Sequence, residues 1–308
     1  MAEQTLAAVP SLSSLYANAL GRSARLMVRP LTQSTTLPDV VYRVADVPVD
    51  AEQLVSYQRV LGDVAASDRL PAGFVHVLGF PVAMAVMARE DFPLPLLGMV
   101  HVANRVDQLR ALHIGEALEV RAWAEHLAAH RKGTQVELVV EVTGSATDGV
   151  AWRGRSTYLA RGRTLPGLPA APETPSAGTA WGQKLPQPTA QWHLGADTGR
   201  RYAEVSGDRN PIHMGSVPAR LFGFKRAIAH GMYTAARALT AAVTGGAEVF
   251  SWDVTFGKPV LLPGRVAFAV RPAGGSGVSE GTAAGVEYLG WNARSGARHF
   301  SGSVTPLR

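Results

Sequence analysis

"AHGMYTAARALTAAV", residues 229–243, is the stretch on which the fold turns. Met232, Ala235, Ala236, Leu239 and Val243 recur at helical spacing and share one face. Polar residues are so few that the helix wants cover on most of its sides, which a surface helix does not have. The residues that follow can supply that cover. "SWDVTFGKPV" (251–260), "GRVAFAVRPA" (264–273), "GTAAGVEYLGW" (281–291) and "ARHFSGSVTP" (297–306) read as strands separated by hairpin-sized gaps. "PAGGSG", between the second and third, is a strong turn. A short helix at 198–206 precedes the long one. The expectation is one buried helix covered by an antiparallel sheet.

The first half of the chain repeats that order. "FVHVLGFPVAMAVMARE", residues 74–90, is apolar nearly all round and reads as a buried helix interrupted near Pro81. Strands are expected in "GMVHVANRVDQL" (98–109), at 116–127 and 135–144 around the turn "AHRKGT", and in "VAWRGRSTYLAR" (150–161). Upstream, 11–20 reads as a helix, "SARLMVRP" and "VVYRVADVPV" as extended pieces, and 51–61 as a helix with Leu54, Tyr57 and Leu61 on one face. Between the halves, 161–190 is rich in proline and small residues with no period. The domains expected are therefore 1–165 and 190–308, joined by a linker at 166–189. The matching element order points to an internal duplication.

Composition narrows the function classes. The 308 residues are 46% apolar and 18% charged, a globular balance with a sizeable core. The absence of cysteine excludes disulfides, thiolate nucleophiles and Cys-ligated zinc. The N-terminus has Glu3 where a signal peptide wants positive charge, and no apolar run reaches the length of a membrane span. A cytoplasmic protein is expected. Net charge is +6, with arginine far outnumbering lysine. That suits an ordinary basic surface or a partner bearing phosphates. The basic residues are dispersed without aromatic interleaving, so nucleic acid is not an expected partner.

Chemistry concentrates in "YAEVSGDRNPIH", residues 202–213. Gly207 permits a tight backbone approach, and Pro211 disfavours helix at Asn210. The turn can gather Asp208, Asn210 and His213. A histidine takes or gives a proton near neutral pH, and a nearby carboxylate can orient it or act as the second proton-transfer group. The same residues also compose an ordinary Asx-turn, with His213 merely packed. "AIAHGMY", residues 227–233, puts His230 and Gly231 just before the apolar helix. The free N–H groups there could stabilise negative charge developing on a carbonyl oxygen. A plain helix start, with His230 packed or capping, fits equally. Together the two pieces fit proton abstraction α to a carbonyl, with loss or addition of water and no metal.

"YAEVSGDRNPIH" followed by "FGFKRAIAHGMY" resembles the signature of the MaoC-like dehydratases, also known as R-specific enoyl-CoA hydratases. The resemblance covers 190–308, and the first half matches in architecture only. It implies an α+β double hot-dog fold, each repeat a sheet wrapped round a helix, with one catalytic turn per chain. By the resemblance Asp208 and His213 are the catalytic dyad, Asn210 the supporting amide and Gly231 the backbone donor to the thioester carbonyl. The implied reaction is reversible hydration of a trans-2-enoyl thioester to an R-3-hydroxyacyl thioester. No cofactor is implied beyond the coenzyme A or acyl carrier protein arm of the substrate. "FGKPVLLPG", residues 256–264, also resembles a family segment and would shape the pocket mouth. Arg220, Lys225, Arg226 and Lys258 are candidate contacts for carrier phosphates. His76, the only histidine near the start of the first repeat's helix, reads as structural or channel-lining.

Two patterns are set aside. "GVSEG" (277–281) matches a nucleophile elbow around Ser279 but sits in a hairpin. His126 and His130 in "HLAAH" would share a helical face for a metal, but the segment reads as a strand. The rival functions are a hot-dog thioesterase and a non-catalytic acyl-thioester-binding subunit, and a homodimer is plausible for such a fold.

Overall fold

The computed structural model describes residues 1–28, 34–63, 67–172, 177–243, 248–273 and 285–307. They form two compact units. One comprises 1–50, 69–102 and 112–173, and the other 51–68, 103–111 and 174–308.

The first half of the chain contains β1 (Ala2–Thr5), α1 (Leu12–Val28), β2 (Val40–Val47), α2 (Ala51–Leu61), α3 (Ala72–Met87), β3 (Met99–Gln108), β4 (Leu118–His130), β5 (Gly133–Gly144) and β6 (Thr147–Arg161). In the first unit β1 pairs with β2 in parallel, and β2–β4, β4–β5 and β5–β6 are antiparallel. Along β4 the residues Leu118, Val120, Ala122 and Ala124 are buried and alternate with more open positions. That is the period of a sheet with one face on a core. Helix α3 lies on that face against β4 and β5, and nearly all of it is buried, His76 included. Gly79 makes the approach possible, because a Cβ there would stand 2.6 Å from a Val140 methyl.

Two local expectations are corrected. α3 runs unbroken through Pro81, where an interruption was expected. The proline leaves the Val77 carbonyl without its helical donor, but a helix enclosed by a sheet draws most of its stability from packing. Residues 23–28, expected as extended, continue α1, and Ala, Arg, Leu and Met are strong helix formers.

The second half contains a 3₁₀ turn at Thr179–Trp181, then β7 (Ala190–Leu194), α4 (Thr198–Ser206), α5 (Pro211–Met214), α6 (Ser216–Leu221), α7 (Gly231–Ala242), β8 (Phe250–Phe256), β9 (Gly264–Pro272), β10 (Val286–Asn292) and β11 (Arg298–Pro306). The strand expected at 281–291 is described only from Gly285 onward, and Ser279 lies outside the described residues. In the second unit residues 103–108 of β3 pair with β8, and the order continues β11, β10, β9, β7, all antiparallel. α7 lies on β8, β10 and β11. Trp252, Phe268, Tyr288 and Phe300 are fully buried beneath it. The two polar atoms there are satisfied: Trp252 Nε1–H donates to the Tyr288 hydroxyl at 2.7 Å, and that hydroxyl donates to the Asp253 carbonyl at 2.9 Å. Helix α2 packs on α4 and α7, with the Tyr57 and Tyr202 rings 6.2 Å apart and Gln53 Nε2 donating to the Val205 carbonyl at 2.8 Å. Each unit is thus a sheet, antiparallel apart from the β1–β2 pair, around a central helix, and the α+β double hot-dog expected from the sequence is the fold observed. Among the described residues no helix is long and apolar enough to cross a membrane.

Candidate active site

Helix α4 stops at Gly207, which takes a left-handed φ of 73° and donates to the Ala203 carbonyl at 2.9 Å. The chain then makes a turn built from its own polar side chains. Asp208 Oδ1 accepts from the Asn210 amide at 3.1 Å, and Asn210 Oδ1 caps α5 by accepting from Ile212 N at 3.3 Å. Pro211 occupies the first helical position, where its missing N–H costs nothing. The Asx-turn reading and the catalytic reading therefore use different atoms of the same residues. One carboxylate oxygen of Asp208 shapes the loop. The other, Oδ2, lies 3.8 Å from His230 Nε2.

α5 delivers His213 into the interior, where it is 8% exposed. Its Nδ1–H donates to the Ile228 carbonyl at 2.8 Å, which fixes the tautomer and leaves the lone pair on Nε2. Ile228 is itself held, since its N–H donates to the Ile212 carbonyl at 3.1 Å. The segment 227–229 is also laced to "FGKPVLLPG": Ala229 N–H donates to the Val260 carbonyl at 2.9 Å and Leu262 N–H to the Ala227 carbonyl at 2.8 Å. That segment thus buttresses the strip carrying the histidine's acceptor.

His230 was absent from the expected site. Its ring stacks on His213 with centroids 3.7 Å apart, and its Nε2–H donates to the Asp208 carbonyl at 2.9 Å. Its Nδ1 is buried and has no hydrogen-bond partner among the described residues. Although it stands at the N-cap of α7, its side chain makes no capping bond. Tyr202 closes the back of the cluster at 4.9 Å from the His230 ring. Gly231 opens α7, with an N–H in the turn that lacks internal acceptors. A Cβ there would press on the Phe256 ring at 3.1 Å.

Burial governs the electrostatics. It pushes His213 down to about 3, helped by His230 and opposed by Asp208 and the Ile228 hydrogen bond. It also lowers His230 and, at the end of β11, His299. Tyr202 is pushed up, first by burial and then by the Asp208 charge. Both site histidines are therefore neutral at pH 7.

Asp208, His213 and His230 bring one ligand-type atom each within 4.8 Å of one another. By residue type such a cluster can transfer protons or hold a cation. Glu125, His126 and Glu137 form a second such group on β4 and β5. There His126 Nδ1 already meets Glu137 at 2.9 Å, while the Lys132 amide donates to His130 Nδ1, so the two histidines of "HLAAH" serve separate local contacts.

Over 255 residues the chain is 34% identical to the 3-hydroxyacyl-thioester dehydratase X of Mycobacterium tuberculosis, covering 82% of this chain and 88% of that protein. This chain belongs to the MaoC-like dehydratase family. Residues 174–288 match the MaoC like domain. The crystal structure of HtdX from Mycobacterium tuberculosis superposes with a TM-score of 0.72 at 30% identity, over 87% of this chain and 100% of that one. A shorter match, 40% identical over 78 residues, joins 23% of this chain to 48% of the 3-hydroxybutyryl-CoA dehydratase of Methylorubrum extorquens.

Other expected positions of this MaoC-like chain are on the surface: Arg220, Lys225, Arg226 and Lys258 are all exposed, and Arg220 Nε–H donates to the Lys225 carbonyl at 3.4 Å. In the first unit His76 is buried, with its ring 6.3 Å from that of His101 and 6.5 Å from that of Trp152.

The buried histidines predict acid lability. Their folded pKa values lie below the ordinary histidine value of 6.5, so below that pH the unfolded chain binds protons that the folded chain refuses. Stability is complete above 6.5 and is lost as pH falls toward the folded value, near 3 for His213. Each such histidine contributes about 1.4 kcal/mol per pH unit inside its window. Melting temperatures of the wild type should fall through this range, and less steeply in His213→Gln. Identical slopes in both proteins would contradict a buried neutral His213.

Proposed function

We propose that the chain is a hydro-lyase that reversibly hydrates trans-2-enoyl thioesters to (R)-3-hydroxyacyl thioesters, with Asp208 and His213 as the proton-transfer pair. The observation that carries this reading is the fixed tautomer of His213. A neutral imidazole with Nδ1 committed to Ile228 keeps only Nε2 for a reactant, in a cluster where Asp208, His213 and His230 bring one such atom each within 4.8 Å of one another. Water held between them adds its oxygen to C3. One member of the pair takes the water's proton, and the pair hands that same proton on to C2, so H and OH are both added and the two groups return to their starting forms. Negative charge accumulates on the thioester oxygen, where the Gly231 N–H at the start of α7 stabilises it. Dehydration reverses each step. Asn210 acts by holding the loop, since its side chain is spent on the α5 cap. His230 packs His213 from the other face and braces the Asp208 backbone.

The handedness of the product follows the family. The carrier is coenzyme A or the pantetheine arm of an acyl carrier protein, and a cytoplasmic setting and a homodimer go with this reading. Sedimentation of the purified chain checks the dimer.

The test is the loss of ultraviolet enoyl-thioester absorbance with crotonyl-CoA and a longer trans-2-enoyl-CoA, with thiol release followed in parallel. Absorbance should fall without thiol release, and chiral analysis should return the R alcohol. Release of free thiol would instead establish the thioesterase.

A further inference from the structure

Outside the catalytic cluster, the second unit holds a pocket of about 190 Å³ with an unusual lining. Arg59 from α2, Arg201 from α4 and Arg237 from α7 all border it, together with His193 of β7, Thr198 and Tyr233. No carboxylate is among the lining residues. The nearest in sequence are Asp63, half-buried beside Gly62, and Asp197, the exposed N-cap residue of α4. None of the three arginines makes an ion pair among the described residues. Three cations on one small concavity repel one another, and an arrangement of this kind is relieved by an anion.

One guanidinium is held ready. Arg237 Nη1–H donates to the Tyr233 hydroxyl at 2.9 Å, and its Cζ lies 4.9 Å from the centre of the Trp192 ring. A planar fork pinned by a hydrogen bond and an aromatic face gives up little entropy on binding an oxyanion. Thr198 adds a hydroxyl donor at the start of α4, where the helix dipole also favours negative charge. A solvated basic surface has no need of this pinning.

We propose that this pocket binds a phosphate monoester. Two sources share that chemistry: the phosphates of the coenzyme A carrier and a separate small phosphate ester. Assignment to the carrier rests on the hydratase reading above, whereas anion binding does not. Tyr233 sets the pocket close to the cluster, because its ring meets Tyr202 edge-on at 5.6 Å and Tyr202 in turn borders His230.

The experiment is calorimetric titration of the full-length protein with adenosine 3′,5′-bisphosphate and with inorganic phosphate. Wild type should bind the bisphosphate. Arg201→Gln and Arg59→Gln should each weaken it by about tenfold or more, the expected loss for one charge-assisted contact. Both side chains are exposed, so the variants should melt like wild type, and Arg131→Gln, an exposed site in the first unit, should bind normally. No binding by wild type, or equal binding by all four proteins, would overturn the proposal. KM for crotonyl-CoA against crotonyl-pantetheine then separates the sources. A rise confined to the coenzyme A substrate in Arg201→Gln places the carrier in the pocket, and unchanged KM values place a separate phosphate ester there.

Discussion

Changing His213 to glutamine lowers kcat/KM for crotonyl-CoA hydration by about 10³-fold, within the range for loss of a positioned general acid–base group. Asp208→Asn does the same. The double variant should be scarcely worse than either single one, because two residues handling the protons of one water act as a unit. Glutamine is preferred to alanine at 213. Alanine would leave the buried Ile228 carbonyl without its 2.8 Å donor, at a cost of about 1–3 kcal/mol in stability that would confuse the result. Melting temperatures therefore accompany the kinetics. A folded His213→Gln that retains wild-type rates would remove His213 from the chemistry. Undiminished rates in both variants would leave the reaction standing but assign it to other residues, with His230 the first to examine.

The second large effect is expected at a residue with no chemistry of its own. A Cβ on Gly199 would lie 2.2 Å from the His213 carbonyl oxygen and 3.1 Å from its carbon. Both are backbone atoms, so neither can swing aside. In Gly199→Ala the first turn of α4 and the short helix α5 have to separate, and His213 moves with α5. A displacement of about 1 Å at a catalytic group costs on the order of 10²-fold in rate. Overpacking of this kind also costs about 1–3 kcal/mol of stability. The expected result is a folded protein of lower melting temperature whose kcat falls more than its KM rises. Wild-type kinetics in Gly199→Ala would mean that the dyad tolerates movement of α5.

These two sites differ in how they could be read. Asp208, Asn210 and Pro211 announce a turn within four residues, because an Asx-turn, an N-cap and a proline at the first helical position are all local devices. His213 follows at the spacing the resemblance required. His230 stood in plain view beside Gly231, yet its part in the cluster depends on a ring stacked from 17 residues away in the chain. A second histidine next to Gly231 was the available signal, and neither of its two readings, an oxyanion site or a plain helix start, joined it to the turn at 206–213. Gly199 gave no local signal at all. Its smallness matters only because α5 folds back across α4. The helix α2 is a middle case. Leu54, Tyr57 and Leu61 marked its apolar face, but nothing near them showed that this face would cover α4 and α7.

By itself, then, the sequence determined two units of buried helix and antiparallel sheet, most of their elements and the turn at 206–213, since periodicity, β-branching and turn chemistry act over a few residues, while the double hot-dog was implied by the family resemblance of that turn. The tertiary structure decided which atoms of that turn remain for chemistry, which tautomer His213 holds, and that His230 and three separated arginines occupy the places they do. Those outcomes depend on burial and on contacts between segments far apart in the chain. Desolvation, like a steric limit at a glycine, is a property of what surrounds a residue and is not written at its own position.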